Sequence, residues 1–278
     1  MPDPARRPRR LALAVTALAG VLVAALVLGA CSSGGGGETP GPASSGASPA
    51  ERVRAAPGVT RAAGTAAVSL AVDGGDGELR IDGVVDLEVD RARFSVDLGA
   101  LGSDVDVILD GARILARVPS RFRPVLGEWT EAPLARGAAL AGLDDEAARA
   151  LEGIEPLRVL DLPRGADEVE EEGPEDVAGE PTTRYSAILD LDAATRAVPG
   201  EDAAAVARTA EALGTPRLPA EVWLDAEGRL RRLRFELGGG SSGAPATQVT
   251  VELGDFGVEA DVTLPDPGDV SDLGKLLG

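Results

Sequence analysis

A strict alternation of apolar and polar residues recurs along the chain and constrains its fold more than any other feature. In one stretch, apolar residues occupy odd-numbered positions, namely Leu79, Ile81, Val85, Leu87 and Val89, and charged residues occupy most of the even-numbered positions between them. The same period of two returns in five further segments, at 94–98, 105–109, 114–118, 233–237 and 249–253. Because successive side chains of a strand point to opposite faces, each segment predicts a strand with one apolar and one wet face. Such strands are typical of antiparallel sheets.

Turn signals and a few helical stretches complete the predicted fold. Hairpin turns are predicted at Asp73–Gly77, Asp110–Gly111 and Asp225–Gly228. Helices are predicted near 51–56, from 143 to about 160 with Asp144 as N-cap, and from 201 to 213, ended by Gly214 and Pro216. The sequence therefore predicts an α+β fold in which a curved antiparallel sheet, a half-barrel, carries helices over its apolar concave face.

Residues 1–30 predict an export signal for a lipoprotein. Four arginines within residues 1–10 precede the uncharged segment 11–30, and Leu28–Cys31 forms a lipobox that ends in the only cysteine of the chain. A thioether-linked diacylglyceryl lipid on the Cys31 thiol, with acyl chains such as palmitate, would hold the protein at the outer face of the cell membrane. The alternative for this segment is an N-terminal helix that spans the bilayer.

Residues 31–50 predict the lipidated cysteine and a flexible tether, because residues 32–50 consist almost entirely of Gly, Ser, Pro and Ala. No comparable tract divides the rest of the chain. Residues 51–278 are therefore predicted to form a single β-rich domain.

The composition excludes several classes of function. The chain has no histidine, one cysteine and a formal net charge of −19. Zinc, copper and haem sites built on His or Cys clusters have no ligands, and His-dependent nucleophilic catalysis has no base. A chain this acidic is not expected to bind nucleic acid, whose phosphates attract Lys and Arg. The sequence predicts no cofactor, no metal site and no enzyme activity.

Charged clusters have alternative interpretations. The acids Asp104, Asp106 and Asp110 lack the pattern of a calcium loop and are interpreted as a solvated strand face. The run from Glu168 to Glu172 is interpreted as an exposed edge strand or loop. The basic cluster at 229–234 predicts cross-strand pairing with acids, and the alternative is recognition of an anionic headgroup at the mouth of a pocket.

The segment Leu218–Leu233, LPAEVWLDAEGRLRRL, resembles the P-x-E-V-W-x-D-x-x-G-R-x-R-R hairpin of actinobacterial LppX/LprG-type lipoproteins. Trp129, the segment Thr183–Tyr185 and the segment Val262–Pro265 stand in a similar order around it. The resemblance covers most of residues 50–270. It implies a LolA/LolB-like fold, a curved half-barrel backed by helices that encloses an apolar cavity for acyl chains.

By this resemblance, the protein would be a membrane-anchored carrier of a lipid or glycolipid, and it would serve lipid transport or envelope assembly with a possible envelope transporter as partner. Burial of acyl chains needs few polar groups, since each CH2 removed from water contributes about 0.8 kcal/mol. The residues expected to face the cavity are Val105, Val107, Leu109, Val222, Leu224, Leu233, Phe235, Val249 and Val251. The alternative is a non-catalytic envelope sensor or assembly factor that has a closed core and acts by protein–protein contact.

Overall fold

A computed structural model of the chain describes residues 46–74, 77–97, 104–111, 113–120, 123–131, 155–200, 202–237 and 246–272. All of them belong to one compact unit, Pro42–Gly278. The export signal, Cys31 and most of the tether lie outside the described residues, as does the first part of the helix predicted at 143–160. Within the described part, no helix is long and apolar enough to span a membrane.

One twelve-stranded sheet organises the described residues. The sheet is curved and not closed, and its strands lie in the order β12-β6-β5-β4-β3-β2-β1-β11-β10-β9-β8-β7. Its strands are β1 Thr65–Gly74, β2 Gly77–Asp86, β3 Arg91–Asp97, β4 Asp104–Asp110, β5 Arg113–Arg117, β6 Trp129–Glu131, β7 Ala166–Val177, β8 Glu180–Asp190, β9 Arg217–Leu224, β10 Leu230–Leu237, β11 Thr247–Gly254 and β12 Val270–Asp272.

The predicted fold class is confirmed, with two differences in detail. Neighbouring strands pair antiparallel except β6 and β12, which pair in parallel, so the sheet is mixed. The predicted strand from Leu79 to Val89 is too long, because β2 ends at Asp86 and residues 87–90 form a turn. Asp86 ends the strand by accepting hydrogen bonds from the backbone N–H groups of Glu88 and Val89 through its side chain. Val89 is consequently exposed, at 49%.

Four α-helices and two 3₁₀ helices lie within the described residues. They are α1 Pro49–Arg61, α2 Arg123–Leu126, α3 Leu191–Ala197 and α4 Asp202–Ala212, with 3₁₀ helices at Pro156–Gly165 and Pro267–Asp269. The helix predicted at 201–213 is confirmed over its described residues. The prediction at 51–56 is too short, because Ser48 and Glu51 form a capping box that starts α1 at Pro49. The described end of the stretch predicted at 143–160 is a 3₁₀ helix that continues to Gly165.

One large hydrophobic cluster joins α1, α3, α4 and the long 3₁₀ helix to the sheet. It contains Val53 and Ala56 of α1, Leu162 of the long 3₁₀ helix and Leu191 of α3, together with side chains from one face of the strands. We call that face of the sheet the inner face and the opposite one the outer face. The helices thus cover the apolar face of the sheet, as the sequence predicts.

Candidate functional site

The inner face carries a continuous row of apolar side chains. In the strand register, the row crosses six neighbouring strands from β8 to β2. Its members are Tyr185, Val222, Leu233, Val251, Leu70 and Ile81. Tyr185 is the polar exception; it is 1% exposed, and burial raises the pKa of its phenol. A surface of this kind binds hydrocarbon by excluding water and needs few directional contacts.

The sequence-predicted cavity residues all lie in strands with their side chains buried or half-buried. Seven of them belong to the main hydrophobic cluster, namely Leu109, Val222, Leu224, Leu233, Phe235, Val249 and Val251. Val107 is half-buried and packs against this cluster, and Val105 is buried. The structure therefore brings eight of the nine together on or against the inner-face cluster, whereas contact of any of them with a lipid stays a prediction.

Burial is uneven along the inner face. Tyr185, Val222 and Leu233 are buried under the helical layer, where α1 contacts β7, β9 and β10, and α3 contacts β8. Farther along the sheet, Leu70 and Ile81 are only half-buried. The same holds for Val107 on β4 and Ile114 on β5. We call these four residues the open half of the inner face, because they leave part of the apolar surface accessible.

The outer face is cross-linked by ion pairs, and a small second hydrophobic cluster lies on it at β4–β6. Arg93 pairs with Asp106 at 3.2 Å, and Arg91 pairs with Asp110 at 2.8 Å. The two aspartates therefore belong to a solvated strand face, as interpreted from the sequence; the side chain of Asp104 lies outside the described residues. Among the described residues, no group of three or more acidic side chains lies close enough to hold a metal ion.

The acidic run from Glu168 to Glu172 lies on β7, which is one edge of the sheet. Glu168 pairs with Arg217 at 2.6 Å, and Glu171 pairs with Arg52 of α1 at 2.6 Å. This agrees with the interpretation of an exposed edge strand, since charge on an edge opposes pairing with another chain.

The basic cluster at 229–234 is mostly paired with acids. Arg229 pairs with Asp225 at 2.7 Å, Arg232 pairs with Glu252 at 2.8 Å, and Arg234 pairs with Glu221. This agrees with the predicted cross-strand pairing. Arg231 differs, because it occupies a bulge between Leu230 and Arg232 and forms no salt bridge with a described residue.

Trp223 is an outer-face residue for which the sequence analysis made no prediction. Its parity puts it on the wet face, yet it is 0% exposed. The guanidinium groups of Arg184, Arg232 and Arg234 lie over its ring at 5.6, 5.1 and 5.1 Å from the centroid. Alternation alone gives no sign of this cover, although the arginine-rich hairpin sequence next to the tryptophan is a signal that could have suggested it.

Among the clefts that described residues line, three lie away from the row of inner-face side chains. One of about 310 Å³ lies between α3 and α4 and includes Thr195 and Ala207 in its lining. One of about 240 Å³ lies on the outer face beside Arg80 and Thr250. The largest, of about 520 Å³, includes Arg231 in its lining. None of the nine predicted cavity residues lines these three clefts.

Comparison with known proteins gives similarity of fold. No protein-family model and no curated protein matches the chain. The lipoprotein LppX of Mycobacterium tuberculosis is similar over 77% of this chain and 98% of its own, at 15% identity and a TM-score of 0.49. LprF of Mycobacterium bovis is similar over 79% of this chain and 96% of its own, at 13% identity and a TM-score of 0.45.

A third structure, the MucA/MucB complex of Pseudomonas aeruginosa, is similar over 78% of this chain and 61% of the matched chain, at 12% identity and a TM-score of 0.34.

Proposed function

We propose that this protein is a lipid-anchored, extracytoplasmic carrier that holds the acyl chains of a lipid or glycolipid against the inner face of its sheet. The observation that carries the proposal is the open half of the inner face. The row of apolar side chains that is buried under helices in β8–β10 continues to half-buried members on β1 and β2, Leu70 and Ile81. Val107 on β4 and Ile114 on β5 are half-buried too, while other inner-face residues of these strands are buried. The carrier would serve lipid transport or envelope assembly, with a possible envelope transporter as its partner.

The binding free energy at such a site would come mainly from burial of the hydrocarbon itself. Each CH2 buried contributes about 0.8 kcal/mol, so an acyl chain laid along the open half gains affinity without polar contacts. Leu70 and Ile81 pair directly across β1 and β2, and Ile114 pairs with Leu109 across β5 and β4. These residues supply adjacent apolar positions on strands that the sheet holds rigidly, so little ordering is required on binding.

The anchor is the second part of the proposal. The lipobox Leu28–Cys31 supports lipidation of Cys31, and the Gly/Ser/Pro tether that follows would let the folded unit stand near the outer face of the cell membrane. The formal net charge of −19 disfavours adhesion to anionic lipid, which makes a covalent anchor the simpler means of keeping the protein at the membrane.

A pair of matched variants on β2 tests acyl binding. Ile81 faces the inner face, whereas Val84, also half-buried, has the opposite parity. Ile81→Asp places a charge against the proposed acyl chain and is expected to weaken binding of a fluorescent fatty acid to the unit Pro42–Gly278 at least about tenfold. Val84→Asp is expected to leave the binding unchanged.

The fluorescence titration contradicts the proposal if wild type does not bind the probe, or if the two variants behave alike while both remain folded by circular dichroism. Absence of binding would favour the alternative function, an envelope sensor or assembly factor with a closed core.

A further inference from the structure

A groove of about 520 Å³ on the outer face has a lining that the carrier proposal does not use. It lies where β1, β2 and β11 meet the β7–β8 turn and the residues that follow β11. Its volume is within the range of about 300–1,000 Å³ that is usual for small-molecule sites. The charged residues of its lining are Arg229, Arg231, Asp82, Glu180, Glu252 and Asp255.

Arg231 is the residue that points to a ligand. It is the extra residue of the β10 bulge and is only 7% exposed. Its Nε is buried without a hydrogen-bond partner, and no described residue forms a salt bridge with its guanidinium. The Nη2 atom lies 3.8 Å from the position that a Cβ would take on Gly254, which also lines the groove. A buried charge without a partner is unfavourable unless another group satisfies it.

The arginines next to Arg231 in the sequence do have acidic partners. Arg229 pairs with Asp225 at 2.7 Å and Glu227 at 3.0 Å, and Arg232 pairs with Glu252 at 2.8 Å. The guanidinium groups of Arg229 and Arg231 lie over the ring of Phe256, at 4.5 and 5.3 Å from its centroid. Phe256 therefore stabilises both guanidinium groups by cation–π contact, while only Arg231 keeps its hydrogen-bonding capacity for another molecule.

The rim of the groove has the opposite charge. Asp82, Glu180 and Asp255 are exposed, and none of them forms a salt bridge with a described residue. These carboxylates repel a ligand that carries two negative charges and attract one that also carries a cation. A metal ion does not fit them, because no group of three or more acids within the described residues is close enough to bind one.

We propose that this outer-face groove binds an organic zwitterion, whose single negative group accepts hydrogen bonds from Arg231 and whose ammonium lies at the carboxylates Asp82, Glu180 and Asp255. A monovalent phosphodiester or carboxylate matches the planar fork of one guanidinium. The proposal goes beyond acyl-chain binding on the inner face and does not depend on it.

Equilibrium dialysis with radiolabelled glycerophosphoethanolamine tests the site directly. The full chain is reconstituted in phosphatidylglycerol vesicles, which offer no zwitterion of their own. Wild type is expected to bind this probe more tightly than glycerol 3-phosphate, which lacks the ammonium. Arg231→Met is expected to lower the affinity at least about tenfold, because it removes a charge-assisted hydrogen bond. Arg234→Met is the control, since Arg234 does not line the groove, and it is expected to leave the affinity unchanged.

The double variant Glu180→Gln with Asp255→Asn keeps the test valid if Arg231→Met does not fold, because both positions are exposed. It is expected to weaken binding of glycerophosphoethanolamine and to strengthen binding of glycerol 3-phosphate. The proposal is overturned if folded Arg231→Met binds like wild type, if wild type binds neither probe, or if the double variant changes neither affinity.

The same measurement identifies the source of the zwitterion. If phosphatidylethanolamine added to the vesicles weakens binding of the soluble probe, the groove recognises a lipid headgroup. If it has no effect, the groove recognises a free zwitterion. Either result supports the site.

Discussion

Gly83 is a single residue that determines how closely β2 and β3 approach. It lies opposite Phe94 of β3 and Val68 of β1 in the strand register. A Cβ at this position would overlap the carbonyl oxygen of Arg93 and come within 2.8 Å of Cδ1 of Phe94. The Phe94 ring therefore packs against bare backbone, which only glycine provides.

Gly83→Ala is accordingly expected to lower the free energy of unfolding by about 1–3 kcal/mol, the usual cost of overpacking a core. Gly254→Ala is the matched control. Its added Cβ would meet only the flexible end of Arg231, at 3.8 Å, so the free energy of unfolding should fall much less or not at all. Urea unfolding of both variants measures the difference, and equal losses would contradict this account of Gly83.

Arg231 and Trp223 mark the limit of sequence reasoning at the residue scale. Alternation correctly predicted that Arg232 and Arg234 face outward with acidic partners. It could not place Arg231, because a bulge shifts the register between Leu230 and Arg232. It also could not show that three arginines cover Trp223, because two of them lie on β10 and the third, Arg184, lies on β8.

Among the structural elements, α1 and the long 3₁₀ helix are joined by a network of ion pairs. The side chain of Asp161 is buried and meets Arg61 of α1 at 2.7 Å and Arg164 at 3.1 Å. Asp90, in the β2–β3 turn, meets Arg61 at 2.5 Å and Arg158 at 2.9 Å. Burial opposes the charge of Arg61, but its hydrogen bonds to Asp161 and Asp90 outweigh burial and raise its pKa. The network thus ties the helical layer to one end of the sheet.

Asp161→Asn is expected to destabilise the protein by about 1.5–3 kcal/mol, because it removes the buried carboxylate that Arg61 and Arg164 share and leaves Arg61 with Asp90 alone. Glu128→Gln removes an ion pair with Arg117, also at 2.7 Å but exposed to solvent, and should leave stability unchanged. Chemical denaturation monitored by circular dichroism measures both. A loss at Glu128 as large as that at Asp161 would refute the assignment of stability to the buried network.

The elements differ in how well the sequence predicts them. Strands β3, β10 and β11 follow from alternation, because each has one apolar and one wet face. The prediction of a wet outer face is wrong in part for β4 and β5, because Ile108 and Leu115 are buried there against Trp129. The 3₁₀ helix Pro156–Gly165 was expected to be α-helical as far as residue 160. The parallel pairing of β6 with β12 was not predicted at all. These short strands are distant in sequence, and no local pattern reports their contact.

At the scale of the whole molecule, the sheet has two regions with different cover. Helices bury the inner face over β8–β10, whereas the four residues of the open half, on β1, β2, β4 and β5, remain half-buried among buried neighbours. Alternation predicted which residues face inward, including Val107 and Leu109, but not how much of that face stays accessible. Accessibility depends on how far the helical layer reaches, and that is a property of tertiary packing.

The carrier proposal depends on this accessible apolar surface holding hydrocarbon. The alternative, a closed core that acts by protein contact, requires that the inner-face residues touch only one another. The main cluster is compatible with tight packing over β8–β10. The two functions therefore make different predictions only for the open half of the inner face.

Native mass spectrometry of the full chain, purified from the membranes of its own host, tests the central claim most directly. The account predicts a chain that begins at Cys31 with covalent acyl groups and carries an additional lipid that leaves intact on collisional activation. The Ile81→Asp variant should retain the covalent mass and lose the additional lipid. A wild-type spectrum that shows the lipidated chain alone, with no dissociable lipid, would contradict the account.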